Sequence, residues 1–208
     1  MTATTPKFAI FASGGGSNAQ ALIDAVRAGE IPGELACIVC DKPGAQVIER
    51  ALRVGIPALV YTPKKFETKA LYEARVVHDL RAHGVDYIVL AGYMRLCGPT
   101  LLEAYGGKTI NLHPSLLPLF PGKDAIGDAL AAGVKYTGVT VHFIDEGMDT
   151  GPIIRQETVM IDPQDTRETL APKIHAVEHR LLPEVTAQLL RGDIRMENGQ
   201  AVIMNGGN

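Results

Sequence analysis

The chain has 208 residues, 46% of them hydrophobic, with 20 Lys+Arg against 23 Asp+Glu for a formal net charge of −3. That much apolar material can bury one full core, so a single domain over 1–208 is expected, and the mild acidic balance without a dense basic run argues against a nucleic-acid partner. No apolar run is long enough to span a bilayer and residues 1–7 lack the apolar core of a secretion signal, which predicts a cytoplasmic protein.

Phe8–Ala12 reads as a first strand, followed by a helix that Ser17 can cap and that runs to about Ala28 before Gly29. Leu35–Cys40 is a second strand. Its Cys37 and Cys40 have C-x-x-C spacing, but positions three apart on a strand face opposite ways, so packing is preferred over a thiol pair. With no second Cys/His pair spaced for zinc, no metal is expected. A helix over Ala45–Val54 closed by Gly55 and a short strand at Ala58–Tyr61 come next. Phe66, Ala70, Ala74, Val77 and Leu80 then mark an apolar helical stripe before Gly84.

Tyr87–Leu90 is an uninterrupted apolar strand of the type buried on both faces of a parallel sheet. A helix near Pro99–Tyr105, a strand at Thr109–Leu112, a helix near Asp124–Ala132, strands at Val139–Phe143 and Ile153–Thr158, and a long helix from Thr166 to about Leu190 follow. Ile194–Glu197 and Ala201–Met204, split by Asn198-Gly199, read as a hairpin. The alternation predicts an α/β fold: a doubly wound, mainly parallel sheet flanked by helices, with a C-terminal hairpin. Ligands of such sheets gather beyond the carboxyl ends of the strands, where Gly14–Asn18, Gly92–Cys97 and His113–Pro118 fall.

Asn111 and His113 are two apart, so on an extended backbone their side chains leave one face. An amide N–H beside an imidazole can stabilise charge on the oxygen of an attacked carbonyl, and the carboxylate of Asp149 can orient the ring or relay a proton; the trio suits acyl transfer. The glycine loop has three readings. Gly14-x-Gly16-x-x-Ala19 after a strand, with Asp41 after the next, fits a relaxed dinucleotide pattern and hence a nucleotide-binding oxidoreductase or a non-catalytic sensor. The same loop can cradle a single phosphate at a helix N-terminus, or be a tight turn. With Asn111, His113 and Asp149 downstream, the phosphate reading is preferred.

Four segments in this order, Ser13-Gly14-Gly15-Gly16-Ser17-Asn18, Ala91-Gly92-Tyr93-Met94-Arg95, Asn111 to Pro118, and Thr137 to Phe143 through Asp149-Thr150-Gly151-Pro152, resemble the phosphoribosylglycinamide formyltransferases over nearly the whole chain. The resemblance implies formyl transfer from 10-formyltetrahydrofolate, a co-substrate rather than a permanently bound cofactor, to the glycinamide amine in purine synthesis, by a monomer or homodimer. It implies catalysis by Asn111, His113 and Asp149; binding of the ribonucleotide phosphate by Gly16, Ser17 and Asn18, and of its ribose by Glu178; and a folate pocket formed by Met94, Arg95, Leu96 and Cys97 with Asn111. It also implies a loop from Asp145 to Asp149 closing over the folate, and Lys69 near the glutamate tail. A cis Leu117-Pro118 bond is expected in the turn after the catalytic strand.

His142 is read as a hydrogen-bonded structural histidine; His78, His83, His175 and His179 are given no chemistry, and Lys123 no role. Two relatives share the chemistry. Methionyl-tRNA formyltransferases add a basic C-terminal domain and formyltetrahydrofolate deformylases an N-terminal regulatory one, neither of which is expected here.

Overall fold

The computed structural model describes residues 4–204. The apolar runs become β1 (Lys7–Ala12), β2 (Glu34–Cys40), β3 (Ala58–Val60), β4 (Tyr87–Leu90) and β5 (Thr109–His113), all parallel to one another. β6 (Tyr136–Phe143) and β7 (Ile153–Met160) add on antiparallel, giving a seven-stranded sheet in the order β3-β2-β1-β4-β5-β6-β7. Because β1 lies between β2 and β4, the chain leaves it in one direction and later returns on its other side. The loops after β1 and β4 therefore diverge from adjacent strand ends and open a crevice between them.

Alternation along β1 divides the core. Phe8, Ile10 and Ala12 pack under α1 (Ser17–Arg27), α2 (Gln46–Arg53) and α6 (Arg167–Arg191), together with Leu22, Val47, Ile174 and Leu182. Ala9 and Phe11 pack on the opposite face under α3 (Lys69–Ala82) and α4 (Pro99–Tyr105), with Val76, Leu80, Leu101 and Tyr105. Truncating a buried leucine such as Leu80 to alanine would cost about 2–5 kcal/mol. Cys37 and Cys40 fall in these two separate layers and are free thiols, in line with opposite-facing positions on a strand.

The fold class and the C-terminal hairpin, β8 (Ile194–Glu197) with β9 (Gln200–Ile203), match expectation, as does the cis Leu117-Pro118 bond. The structure differs in detail elsewhere. α3 starts at Lys69, capped by the Thr68 hydroxyl accepting from Leu71 N–H, so Phe66 lies outside it. Its buried face is Tyr72, Glu73, Val76, Val77 and Leu80, whereas Ala70 and Ala74 are exposed. Alanines carry little transfer free energy, and the Tyr72 ring outweighs them in choosing the face. α1 is capped by Gly16 in the left-handed conformation, φ +74°, rather than by the Ser17 side chain. α5 (Ala125–Ala131) takes Asp124 as its cap, the carboxylate accepting from Gly127 N–H. α6 begins with a reciprocal cap between Thr166 and Thr169.

Candidate active site

Beyond the carboxyl ends of β1, β4 and β5 lies a cavity of about 310 Å³. Asn18 and Glu178 wall one end, Met94, Arg95, Leu96 and Cys97 the other, and Asn111, His113, His142 and Asp149 lie in its lining with Asp145 and Met148 of the β6–β7 loop. A larger groove of about 600 Å³ between α1 and α6 is walled by Arg155, Arg180 and Glu184, which pair with one another, and holds none of the motif residues.

Strand pairing positions Asn111 and His113. β5 and β6 place Asn111 opposite His142 and His113 opposite Thr140. Thr140 anchors the segment after β5: its hydroxyl donates to the Ser115 carbonyl at 2.7 Å and accepts from Leu117 N–H at 3.1 Å. That segment returns the Phe120 carbonyl to His113, whose Nε2 donates to it at 2.8 Å. A carbonyl can only accept, so Nε2 carries a proton and Nδ1 is the ring atom left for chemistry. Nδ1 faces Asp149 Oδ2 at 3.5 Å, longer than a good hydrogen bond, and that oxygen also accepts from Gly122 N–H at 2.9 Å. Asp149 has φ +57°, a strained conformation for a residue with a Cβ, which turns its carboxylate toward both histidines.

His142 is the hydrogen-bonded histidine expected from the sequence, but its partnership with Asn111 was not foreseen. Its Nδ1 donates to the Phe143 carbonyl at 2.7 Å, so Nε2 is an acceptor and takes an N–H from Asn111 Nδ2 at 3.1 Å. Burial, the largest effect, pushes the His142 pKa below the usual imidazole value, which keeps the ring in the neutral state this bond needs. Asn111 is thereby held with its amide nitrogen fixed and one N–H still available to the cavity. The signal was the antiparallel pairing of β5 with β6, whose register no local pattern reveals.

The Asn18 end of the cavity is ordered around Glu178, which is 3% exposed rather than on a solvated helix face. Its Oε2 accepts from Asn18 Nδ2 at 3.0 Å and from His175 Nδ1 at 2.8 Å. His175 lines the cavity one helical turn before Glu178, and that carboxylate raises its pKa above the usual imidazole value. Asn18 Oδ1 is buried with no protein partner, which leaves an acceptor for a donor on a ligand. Gly16 and Ser17 precede Asn18 but are not in the cavity lining. A Cβ on Gly16 would come within 2.7 Å of the Val47 side chain, so both packing and its positive φ require glycine there.

At the other end Cys97 is buried, its thiol pushed up to about 12 by that burial and then by Glu73. Asp145 folds its own loop, accepting from Gly147 N–H at 2.9 Å and from the Thr150 hydroxyl at 2.6 Å. Lys69 is not brought into the cavity. It lies in an adjoining groove of about 410 Å³ that shares Met94, Arg95 and Leu96, with its ammonium 3.8 Å from Glu73. Asp41 is also away from the cavity, and both its oxygens are engaged, one by the Ser13 hydroxyl at 2.5 Å and one by Arg95 Nε at 2.7 Å. Asp41 is 5% exposed, committed to these two partners and outside the cavity lining, so it does not stand where the dinucleotide reading requires a ribose-binding acid. Among the described residues no cluster of three or more His, Cys, Asp or Glu side chains could hold a metal ion, and no helix is long and apolar enough to cross a membrane.

The chain is similar to known proteins along most of its length. The chain is 55% identical over 184 residues to phosphoribosylglycinamide formyltransferase of Bacillus subtilis, covering 88% of this chain and 94% of that one. It is 43% identical over 188 residues to the trifunctional purine biosynthetic protein adenosine-3 of Drosophila melanogaster, covering 89% of this chain but 14% of that longer protein. The crystal structure of glycinamide ribonucleotide transformylase 1 from Geobacillus kaustophilus superposes with a TM-score of 0.88 at 55% identity, covering 90% of this chain and all of that one. Residues 6–186 match the formyl transferase model, and with relatives of this identity and coverage the chain belongs to the formyl transferase family.

Proposed function

We infer that this chain is a glycinamide ribonucleotide transformylase of de novo purine biosynthesis, taking its formyl group from 10-formyltetrahydrofolate. The observation that carries the reading is the convergence of Asn111, His113 and Asp149 in one cavity lying between the glycine loop and the Met94–Cys97 loop. The ribonucleotide enters from the Asn18 and Glu178 end, its phosphate against the loop of Gly16, Ser17 and Asn18 and the N-terminus of α1, its ribose at Glu178. The folate enters from the Met94–Cys97 end under the Asp145–Asp149 loop, its ring edge paired by backbone groups and its tail leading toward Lys69.

Transfer forms a C–N bond between the glycinamide amine and the formyl carbon, and breaks the bond from that carbon to the folate nitrogen. Charge collects on the formyl oxygen between these events. The free N–H of Asn111 faces it, with the other held by His142 so that little reorganisation is needed. His113 Nδ1 is the proton-handling atom. With Nε2–H committed to Phe120, a proton taken at Nδ1 gives an imidazolium beside Asp149, able to turn that N–H to the formyl oxygen or to pass it to the departing nitrogen. Asp149 thus supports the charged ring and, through Gly122, holds the loop that carries it. No covalent enzyme intermediate is required. The test is formyl transfer to glycinamide ribonucleotide followed by the appearance of tetrahydrofolate, beside NAD(H) titrated by calorimetry. Transfer without dinucleotide binding is expected; NAD(H) binding without transfer would overturn the reading.

A further inference from the structure

The loops assigned to the two substrates are not independent in this fold. Asp41, at the end of β2, is 5% exposed and serves neither substrate directly. Its Oδ1 accepts the Ser13 hydroxyl proton at 2.5 Å and its Oδ2 accepts from Arg95 Nε at 2.7 Å. Ser13 has one proton to give, and it goes to Asp41; its oxygen then accepts from Met94 N–H at 2.9 Å, while Ser13 N–H donates to the Gly92 carbonyl at 3.0 Å. Met94 and Arg95 are consecutive, so the bonds close a ring: Met94 to Ser13, Ser13 to Asp41, Arg95 to Asp41, and back along one peptide. Every donor direction in the ring is fixed. Ser13 opens the glycine loop, whereas Met94 and Arg95 line the folate end of the cavity. The ring sits at the crevice between β1 and β4, so neither loop can shift at its base without stretching a bond to the other.

We propose that Asp41 is a positioning residue that couples the two substrate sites, so that occupation of the Met94–Cys97 loop by folate tightens binding of the ribonucleotide at the glycine loop, and the reverse to the same factor. The proposal rests on the assignment of the two loops made above. The coupling needs no long pathway, only one buried carboxylate with two occupied oxygens. Asparagine at 41 has the same shape but one acceptor where aspartate has two. Its amide nitrogen must face either the Arg95 guanidinium, donor against donor, or the Ser13 oxygen, whose own proton then has no acceptor.

The experiment is calorimetric titration of the full-length protein with glycinamide ribonucleotide, alone and saturated with tetrahydrofolate, a pair that cannot react because no formyl group is present. The wild type is expected to bind the ribonucleotide at least about fivefold more tightly with tetrahydrofolate present. In Asp41→Asn that ratio should fall toward one, with each single-ligand affinity changed much less. Ser13→Ala cuts the ring at its middle while leaving the Asp41–Arg95 pair, and should lower the ratio in the same way. It carries the test if Asp41→Asn does not fold. A role confined to stability would lower the melting temperature and leave the ratio intact. A ratio of one in the wild type, or a wild-type ratio in a folded variant, would overturn the coupling. Failure of the wild type to bind either ligand or to transfer formyl would instead overturn the functional reading on which it stands.

Discussion

Two clusters of polar groups in this fold are built to opposite standards. In the ring of Ser13, Asp41, Met94 and Arg95 every contact is 2.9 Å or shorter and both oxygens of Asp41 are engaged. Among Asn111, His113, His142 and Asp149 the ring-to-carboxylate distances are 3.5 and 3.9 Å, and an amide N–H of Asn111 is unclaimed. On the proposed mechanism, the difference separates scaffold from reagent. A buried network that satisfies itself holds backbone in place, whereas groups that must meet a transient charge keep bonding capacity in reserve and are held from behind, Asn111 by His142 and His113 by Phe120.

The largest effects should come from breaking the reserve cluster. Asn111→Ala, His113→Ala and Asp149→Ala should each lower kcat by about 10²-fold or more, as loss of a transition-state donor does, with ribonucleotide KM little changed in steady-state assays. The double variant His113→Ala/Asp149→Ala should be barely slower than the worse single one, since a carboxylate that works through the imidazole has little to do once the ring is gone. Asp149→Asn sharpens the point. Asparagine tolerates the positive φ and can still accept from Gly122 N–H, so a kcat close to wild type would reduce Asp149 to a loop-ordering residue, and a loss as large as that of alanine would assign its effect to charge.

The scaffold side is tested by stability instead. Gly16→Ala must adopt a left-handed φ and press on Val47, and should cost about 1–3 kcal/mol in denaturant unfolding. Gly14→Ala, whose Cβ meets nothing within 4 Å, should unfold close to wild type. Equal melting of the two variants would show that the loop has no rigid requirement at position 16.

The smallest effect is a difference in pH dependence between two histidines of the cavity. The folded pKa of His142 is lowered, so the unfolded chain takes up that proton first, and stability should decline as pH falls below 6.5 toward the folded value. His175 is raised by Glu178, so its contribution is full below 6.5 and is lost as pH rises through the folded value. Thermal melts of His142→Gln should flatten the acid side of the profile and those of His175→Gln the other side. The same slope in both variants and the wild type would remove either ring from the account.

Element order was legible because the strands are almost purely apolar and the breaks carry glycine: Tyr87–Leu90 and the hairpin turn at Asn198-Gly199 fall where the pattern puts them. The face of α3 was not, since an alanine stripe and a tyrosine compete and only tertiary packing decides. In the site, Asn111, His113 and Asp149 could be nominated from residue type and spacing. The residues behind them could not. His142 reaches Asn111 through the register of β5 against β6, and Asp41 reaches Arg95 across 54 positions, relations that exist only once the sheet has formed. The acid that looked like a ribose ligand on sequence grounds is instead consumed inside the protein.

The three cysteines have a practical consequence for labelling. Cys37, Cys40 and Cys97 are all buried, and burial raises each thiol above its usual range, Cys37 and Cys97 to about 12. Maleimides and iodoacetamides react with thiolate, which at pH 7.5 is then a vanishing fraction at Cys37 and Cys97. A single cysteine placed on the exposed rim, for instance at Met148, would take a fluorophore against an almost silent background, with no native cysteine replaced.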